Sequence, residues 1–106
     1  MLRLSPQELQ TLSELGEQVR QLFGERLVEL SLFGSRARGE GRDDSDLDVL
    51  VKVNELTRAD RRAIQDLAFD LGLRRGLVIS PLLADARAWQ AALPLGRAIA
   101  RESIPL

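Results

Sequence analysis

The sequence predicts an α/β (α+β) domain in which a small mixed β-sheet of three to four strands is flanked by helices. Segments with helical periodicity, each opened by a helix-capping motif, alternate with short Leu/Val-rich runs typical of strands. The chain has 106 residues, enough to bury one hydrophobic core but too few for a second. We therefore expect residues 1–106 to form a single domain.

The first half of the chain predicts one helix and two strands. The segment SPQE, Ser5 to Glu8, combines an N-cap serine, a proline at the first helical position and a glutamate three residues after the cap. Apolar residues then follow at helical spacing until the expected helix end near Gly24, namely Leu9, Leu12, Leu15, Val19 and Leu22. The run RLVELSLFG predicts a strand over roughly residues 27–33. LDVLVKV predicts a second strand, covered on both faces because it is nearly continuously apolar.

The connection between these two strands restricts how they pair. It is about a dozen residues long and includes the turn at Gly34. This is short for the helix that crosses between parallel strands. An antiparallel or steeply angled pair is therefore expected.

The second half predicts further helices and a third strand. Thr57 to Asp60 has the form of another capping box. One apolar face follows, with the helix expected to stop near Gly72, and consists of Ala63, Ile64, Leu67, Ala68 and Leu71. GLVISPLL predicts a strand, with Pro81 at its end or at a sheet edge. DARAWQAAL and PLGRAIARE predict two short helices separated by Pro94, whose apolar residues Trp89, Leu93, Leu95 and Ile99 form core or partner surface.

Composition excludes several kinds of chemistry. With no cysteine and no histidine, the chain has no disulfides, thiolate nucleophiles, histidine bases or usual zinc sites. Fifteen basic and sixteen acidic residues give a net charge of -1, so no general attraction to nucleic acid or anionic membrane is expected. The N-terminus has no apolar signal region, and no apolar run approaches the roughly 20 residues of a membrane helix. We expect a cytoplasmic protein whose chemistry uses carboxylates, hydroxyls, arginines and a hard cation.

Gly34 and Ser35 mark a corner where the first strand ends and a short helix could begin. Glycine permits a tight turn and the close approach of a ligand, and amides at a helix start suit a phosphate. The Ser35 hydroxyl would add a donor, and Arg36 or Arg38 could hold a second phosphate oxygen. Taken alone, such a Gly-Ser pair is more often an ordinary turn.

Asp46 and Asp48 stand at the start of the second strand. Residues two apart on a strand project to the same face, roughly 6.5 Å apart. Both carboxylates could therefore reach one hard cation such as Mg2+, leaving its other positions to water and phosphate oxygens. The plainer alternative is a strand start that faces water. Asp43 and Asp44 are interpreted as turn residues without a chemical role.

These pieces together carry a family resemblance. The segment GSRARGEGRDDSDLDVLV resembles the Gly-Ser-x-Ala-Arg-Gly and Ser-Asp-x-Asp motifs of the DNA polymerase β-like nucleotidyltransferase superfamily. The short chain is similar to the minimal nucleotidyltransferase branch of that superfamily. The resemblance implies a nucleotidyltransferase fold, ATP as substrate and Mg2+ as cofactor.

The resemblance also assigns roles to residues. It implies that Asp46 and Asp48 are the catalytic carboxylates and the Mg2+ ligands. The nucleotide-binding residues that it implies are Gly34, Ser35, Arg36, Arg38 and Ser45. The family's third carboxylate, on the following strand, has no counterpart, because Ser80 stands at the aligned position and Asp85 is the nearest carboxylate. Nucleotide binding is therefore better supported than turnover.

Three functional hypotheses follow. The first is an enzyme that transfers AMP to a hydroxyl of a protein, which by resemblance would be a HEPN-domain toxin neutralised by this chain as its antitoxin. The second is a nucleotide-binding module with impaired catalysis that neutralises its partner by contact. The third is a domain that binds no nucleotide. Self-association, the nucleotide base and the acceptor atom are left open by the sequence.

Overall fold

The computed structural model describes residues 4–39, 46–89 and 94–106. The helices are α1 (Pro6–Phe23), α2 (Ser35–Arg38), α3 (Arg58–Arg75) and α4 (Pro94–Glu102). The strands are β1 (Leu27–Phe33), β2 (Leu47–Val53), β3 (Ile79–Asp85) and β4 (Ile104–Pro105). A 3-10 turn, Gly24–Arg26, joins α1 to β1.

The strands form one mixed sheet in the order β3-β2-β1-β4. β1 is antiparallel to both β2 and β4, whereas β2 and β3 are parallel. The predicted fold class and the antiparallel pairing of the first two strands are therefore confirmed. The sequence did not predict the two-residue strand β4, which is too short to show a periodic pattern.

Both faces of the central strand β2 are covered. Its residues in the large core, which also contains apolar side chains of α1 and α3, are Leu47, Val49, Val51 and Val53. Leu50 points to the other face and joins a small core with Ala84 of β3 and Ile99 of α4. Asp48 alternates with the large-core residues, so it lies on the same face as Leu50. The site residues of β2 therefore share a face of the sheet with α4.

Both predicted capping boxes form, but α3 ends later than the sequence indicated. The Ser5–Glu8 and Thr57–Asp60 pairs each make the two reciprocal cap hydrogen bonds. α3 continues to Arg75, so the expected stop near Gly72 is wrong. A Cβ at position 72 would lie 2.5 Å from the Leu77 carbonyl oxygen. Glycine is required there for close packing of the chain after the helix, and Gly76 provides the actual left-handed end.

The structure also bears on two smaller predictions, the apolar face of α1 and the place of Pro81 in β3. In α1, Leu9 and Leu22 are about half exposed, and Phe23 takes the last buried position instead. β3 is an edge strand, as one reading of Pro81 predicted. Val78 and Ala86 both hydrogen-bond to β2, so the odd residues between them direct their backbone groups to the open edge. Proline lacks an N–H, and it occupies a position where none is needed.

The predicted helix over DARAWQAAL is wrong for its described part. Residues 86–88 form a turn and Trp89 is not helical, whereas α4 appears where PLGRAIARE predicted it. Trp89 packs against the small core and Ile99 is buried, while Leu95 is 61% exposed. Leu93 lies outside the described residues.

An apolar groove lies beside α3 in the described part of the chain. Phe69, Leu73 and Val78 are each more than half exposed around a groove of about 230 Å³ beside the open edge of β3. Among the helices described here, none combines the length and hydrophobicity that crossing a membrane requires.

Candidate active site

The predicted Gly-Ser corner lies directly against the predicted carboxylates. Phe33, the last residue of β1, is paired with Asp48 of β2, and Gly34 follows with φ 80° and ψ -161°. A Cβ on Gly34 would clash with the Asp48 carboxylate, well inside van der Waals contact with Oδ2. Gly34 is thus required twice, for its backbone conformation and for the approach of the Asp48 side chain.

Ser35 begins a single helical turn. α2 spans only Ser35–Arg38, and the Arg38 N–H donates to the Gly34 carbonyl at 3.2 Å, while the Gly39 N–H donates to the carbonyls of Ser35 and Arg36. Gly39 ends the turn in the left-handed conformation. The half-buried Ser35 therefore stands between the end of β1 and this turn, as the sequence predicted.

Asp46 and Asp48 lie at the mouth of β2. Asp46 is exposed and directly precedes the strand, whereas Asp48 is half-buried within it. Burial raises the pKa of Asp48, the negative charge of Asp46 raises it further, and the positive charge of Arg38 opposes both. The two carboxylates therefore repel each other. One cation bound between them would offset this repulsion.

Ser80 occupies the neighbouring position on β3. It is paired in register with Asp48, so the two side chains lie on the same face of adjacent strands. Asp85 is paired with Val53 at the other end of the strand and accepts a hydrogen bond from the Arg87 N–H at 3.0 Å. It lies five positions along the strand from Ser80, a distance of about 17 Å. Asp85 therefore cannot replace the missing third carboxylate.

The described ranges hold no cluster of three or more histidine, cysteine, aspartate or glutamate side chains able to hold a metal. Within those ranges, the carboxylate set at the mouth of β2 is the pair Asp46 and Asp48. Ser45, the remaining predicted nucleotide-binding residue, lies outside them.

The two arginines of α2 differ in position. Arg38 is exposed, forms an ion pair with Glu102 of α4 (Nη1 to Oε2, 2.7 Å), and acts on the pKa of Asp48. Arg36 is buried, with 2% of its surface exposed, and pairs with Glu8 of α1. This geometry supports Arg38 at the site and gives Arg36 a structural position instead of the phosphate contact that the sequence suggested.

The Arg36–Glu8 pair is the feature that sequence reasoning missed. Arg36 Nη2 donates to Glu8 Oε1 at 2.7 Å and lies 2.7 Å from Oε2. Glu8 Oε1 also accepts the Ser5 N–H at 2.8 Å, which closes the capping box of α1. The sequence identified Glu8 as a capping residue, but no pattern links it to a residue 28 positions away.

Comparison with known proteins identifies the family to which the fold belongs. Residues 12–88 match the nucleotidyltransferase domain family. A Methanocaldococcus jannaschii protein, named as a protein adenylyltransferase with the activity marked as inferred, is 38% identical over 79 residues, covering 72% of this chain and 54% of that protein. Protein adenylyltransferase MntA of Thermococcus cleftensis is 39% identical over 57 residues, covering 53% of this chain and 56% of MntA.

Solved structures show the same fold. One described as an inferred minimal nucleotidyltransferase has a TM-score of 0.62 at 35% identity, covering 92% of this chain and 95% of its own. A toxin–antitoxin structure with AMP-PNP has a TM-score of 0.59 at 19% identity, covering 87% and 69%, and shows the fold alone. The alignments to the two named adenylyltransferases span little more than half of their lengths. The family match covers most of the present chain, which belongs to the nucleotidyltransferase domain family.

Proposed function

We propose that this chain binds Mg-ATP at the Gly34–Asp48 corner and transfers the AMP group to a hydroxyl of a protein partner. The observation that carries the proposal is the position of the Asp48 carboxylate. This carboxylate is half-buried and lies so close to Gly34 that no larger residue would fit at position 34. It is also close enough to the negative charge of Asp46 for that charge to raise its pKa. A strand start that simply faced water would not need this arrangement.

The donor set fits one Mg2+ ion. Asp46 and Asp48 would supply two carboxylate oxygens on one face, with water and phosphate oxygens completing the coordination. When bound, the ion would neutralise charge on the phosphates and so favour attack at phosphorus. The repulsion that raises the pKa of Asp48 would then be offset by the cation.

Gly34 and Ser35 are the proposed phosphate contacts. The turn leaves the backbone at Gly34 free of a side chain, and the Ser35 hydroxyl would donate to a phosphate oxygen. Arg38 would assist at the rim, since its charge already reaches Asp48. Ser45 is proposed from the sequence motif alone, and Arg36 is not included because it is buried against Glu8.

The proposed reaction is an in-line displacement. The oxygen of the acceptor hydroxyl forms a bond to the α-phosphorus while the bond from that phosphorus to pyrophosphate breaks. The hydroxyl proton must leave to a base. Ser80, beside Asp48, is not a carboxylate and supplies no such base, so the partner or the substrate would have to provide it. We therefore expect slow transfer by the isolated chain.

A protein partner is supported by the relatives and by the surface. Proteins similar to this chain are named as protein adenylyltransferases, and chains with its fold occur in toxin–antitoxin structures named MntA-HepT. The exposed apolar groove at Phe69, Leu73 and Val78 is surface of the kind that protein partners cover. We propose a HEPN-domain toxin as partner and acceptor, with this chain as its antitoxin.

Ser80 also favours a second candidate function. A chain that kept the phosphate corner and lost the third carboxylate could bind nucleotide and neutralise its partner by contact alone. The two candidates share the nucleotide site and differ in turnover.

Incubation with Mg2+ and ATP labelled at the α-phosphate, with and without the partner, separates the candidates. Label on the partner supports the enzyme, and nucleotide binding without transfer supports the binding module. The absence of both binding and transfer contradicts both candidates. Ser80→Asp should raise transfer several-fold if this position is where a third carboxylate acts. No gain in a folded Ser80→Asp protein would show that the position was misassigned.

A further inference from the structure

The buried ion pair between Glu8 and Arg36 lies behind the candidate phosphate corner. Arg36 directly follows Ser35, and its guanidinium reaches back from α2 to the first turn of α1. The exposed fractions of the two side chains are 2% for Arg36 and 6% for Glu8. Burying two charges is costly, so a pair kept at this position calls for a role beyond stability.

α2 depends on such outside contacts for its position. A helix of four residues has a single closing turn and is not stable on its own. Its anchors among the described residues include the Arg36–Glu8 pair, the Arg38–Glu102 pair and the packing of Ala37 on the large core. In the Arg36–Glu8 pair, both charged side chains are buried. This pair therefore restricts the orientation of the turn most strongly.

The location of the turn decides where Gly34 and Ser35 lie relative to Asp48. Gly34 already approaches the Asp48 carboxylate so closely that a Cβ would clash. A small rotation of α2 would therefore move the Ser35 hydroxyl and the backbone at Gly34 away from the carboxylate pair. Glu8 is itself fixed, because its Oε1 accepts the Ser5 N–H in the capping box of α1.

We propose that Glu8 and Arg36 are positioning residues that hold the Gly34–Ser35 corner against Asp48 and so set the affinity for the nucleotide phosphates. This inference rests on the proposed function of the same site. Neither residue is a catalytic residue, since both are buried behind the corner. The α1 cap, a feature of helix stability, thereby becomes part of the construction of the site.

The test variant is Glu8→Gln with Arg36→Met. It removes both charges of the Glu8–Arg36 pair together, so neither member leaves the other as a buried charge, and the amide oxygen of the introduced glutamine can still accept the Ser5 N–H. The matched control makes the same chemical changes at the capping box of α3, as Asp60→Asn with Arg26→Met. Arg26 and Asp60 also form an ion pair, at 2.5 Å, but at the opposite end of β1 from Gly34. Arg36→Lys, which keeps the buried charge pair, is a second variant should the double one not fold.

Two readouts are needed, both under conditions where circular dichroism shows complete folding. The first is the calorimetric Kd for ATP with Mg2+, which should rise at least about tenfold in the test variant and stay unchanged in the control. The second is hydrogen exchange of the Arg38 and Gly39 amides, measured in the nucleotide-free protein. The Arg38 N–H donates to the Gly34 carbonyl, and the Gly39 N–H donates to the Arg36 carbonyl. Their exchange should quicken about tenfold in the test variant alone. Arg36→Lys should give smaller changes of the same sign.

A purely structural pair would lower the melting temperature without changing either readout in the folded protein. Unchanged exchange at Arg38 and Gly39, or unchanged Kd beside a binding wild type, would overturn the inference. If the wild type bound no ATP, the proposed function would fail, and the exchange measurement would still decide whether the pair holds the corner.

Discussion

The capping boxes of α1 and α3 are built alike and lie at opposite ends of the sheet. In each, the carboxylate three residues after the cap is also ion-paired with an arginine from elsewhere in the chain. Glu8 pairs with Arg36, where both side chains are buried. Asp60 pairs with Arg26, where 41% of the arginine and 16% of the aspartate are exposed.

The comparison shows how one local motif can carry different consequences. Arg26 also donates to the carbonyls of Asn54 and Glu55, which lie in the connection between β2 and α3. The Arg26–Asp60 pair therefore attaches the start of α3 to this connection. Arg36 instead connects α1 to the turn beside Asp48. About 20 Å of strand separates the two ends. Burial and neighbours, and not the capping motif, determine which pair bears on the candidate site.

The largest expected difference is in stability. Glu8→Gln removes the negative charge that is paired with the buried Arg36 guanidinium, which should lower the free energy of unfolding by about 3–5 kcal/mol. Asp60→Asn at a partly exposed pair should cost about 1 kcal/mol or less. Urea denaturation at pH 7 measures both, and adding Arg36→Met to Glu8→Gln should recover part of the loss. Equal losses for the two single variants would contradict the comparison.

Sequence reasoning predicted both capping boxes and missed the ion pairs that their carboxylates form. Both capping boxes were visible because their residues are three apart, and the strands were visible from their Leu/Val runs. The ion pairs were not, since Arg36 and Glu8 are 28 residues apart and only the fold brings them together. Arg36 was therefore assigned to the phosphates by its place in the motif.

Other misses have similar physical causes. Gly72 resembled a helix end because glycine usually is one, but here it serves a close contact with Leu77. The turn after Asp85 resembled a helix because its alanines favour one, whereas the fold makes a turn there. The predicted antiparallel pairing of the first two strands, in contrast, was correct, and it is this pairing that places the end of β1 beside Asp48.

Two glycines with positive φ angles sharpen the comparison at the level of the backbone. Gly34→Ala should cost about 2–3 kcal/mol, because the new Cβ is strained and also clashes with Asp48. Gly76→Ala, at the end of α3, should cost about 1 kcal/mol, since nothing lies within 4 Å of its Cβ. Urea denaturation gives the stabilities, and Gly34→Ala alone should also weaken ATP binding. Similar costs at both positions would mean that Asp48 moves aside freely.

Acid should weaken both capping boxes. Burial alone would raise the pKa of Glu8, but the hydrogen bonds from Arg36 and Ser5 and the Arg36 charge bring it below its usual value. The hydrogen bonds from Arg26 and from the Thr57 backbone lower the pKa of Asp60 to about 2. A carboxyl whose pKa is lowered by folding stabilises the protein above its unfolded pKa and loses that contribution as pH falls.

For Asp60, this loss should fall between pH 3.8 and about 2. Unfolding measured across that range should show a shallower decline in Asp60→Asn than in wild type, by about 1 kcal/mol or less in total. Glu8→Gln should likewise flatten the decline below the usual glutamate pKa of 4.5. A parallel decline in all three proteins would contradict the assigned pairs.

The smallest expected effect has the opposite sign. Because burial and the Asp46 charge raise the pKa of Asp48, ionised Asp48 disfavours folding at neutral pH. Asp48→Asn should therefore raise the free energy of unfolding, on the order of 0.5 kcal/mol, while ATP binding is lost. A stability loss in thermal or urea unfolding would show that Asp48 serves the fold instead of a site.

The most direct test is a calorimetric titration of ATP with Mg2+ into wild type and into Asp46→Asn with Asp48→Asn. A control with the same change of charge is Asp66→Asn with Asp70→Asn, two exposed aspartates of α3. We expect Mg2+-dependent binding in wild type and in the control, and at least about a hundredfold weaker binding in the site variant. Equal binding by all three proteins would contradict the assignment of the nucleotide site to the Gly34–Asp48 corner.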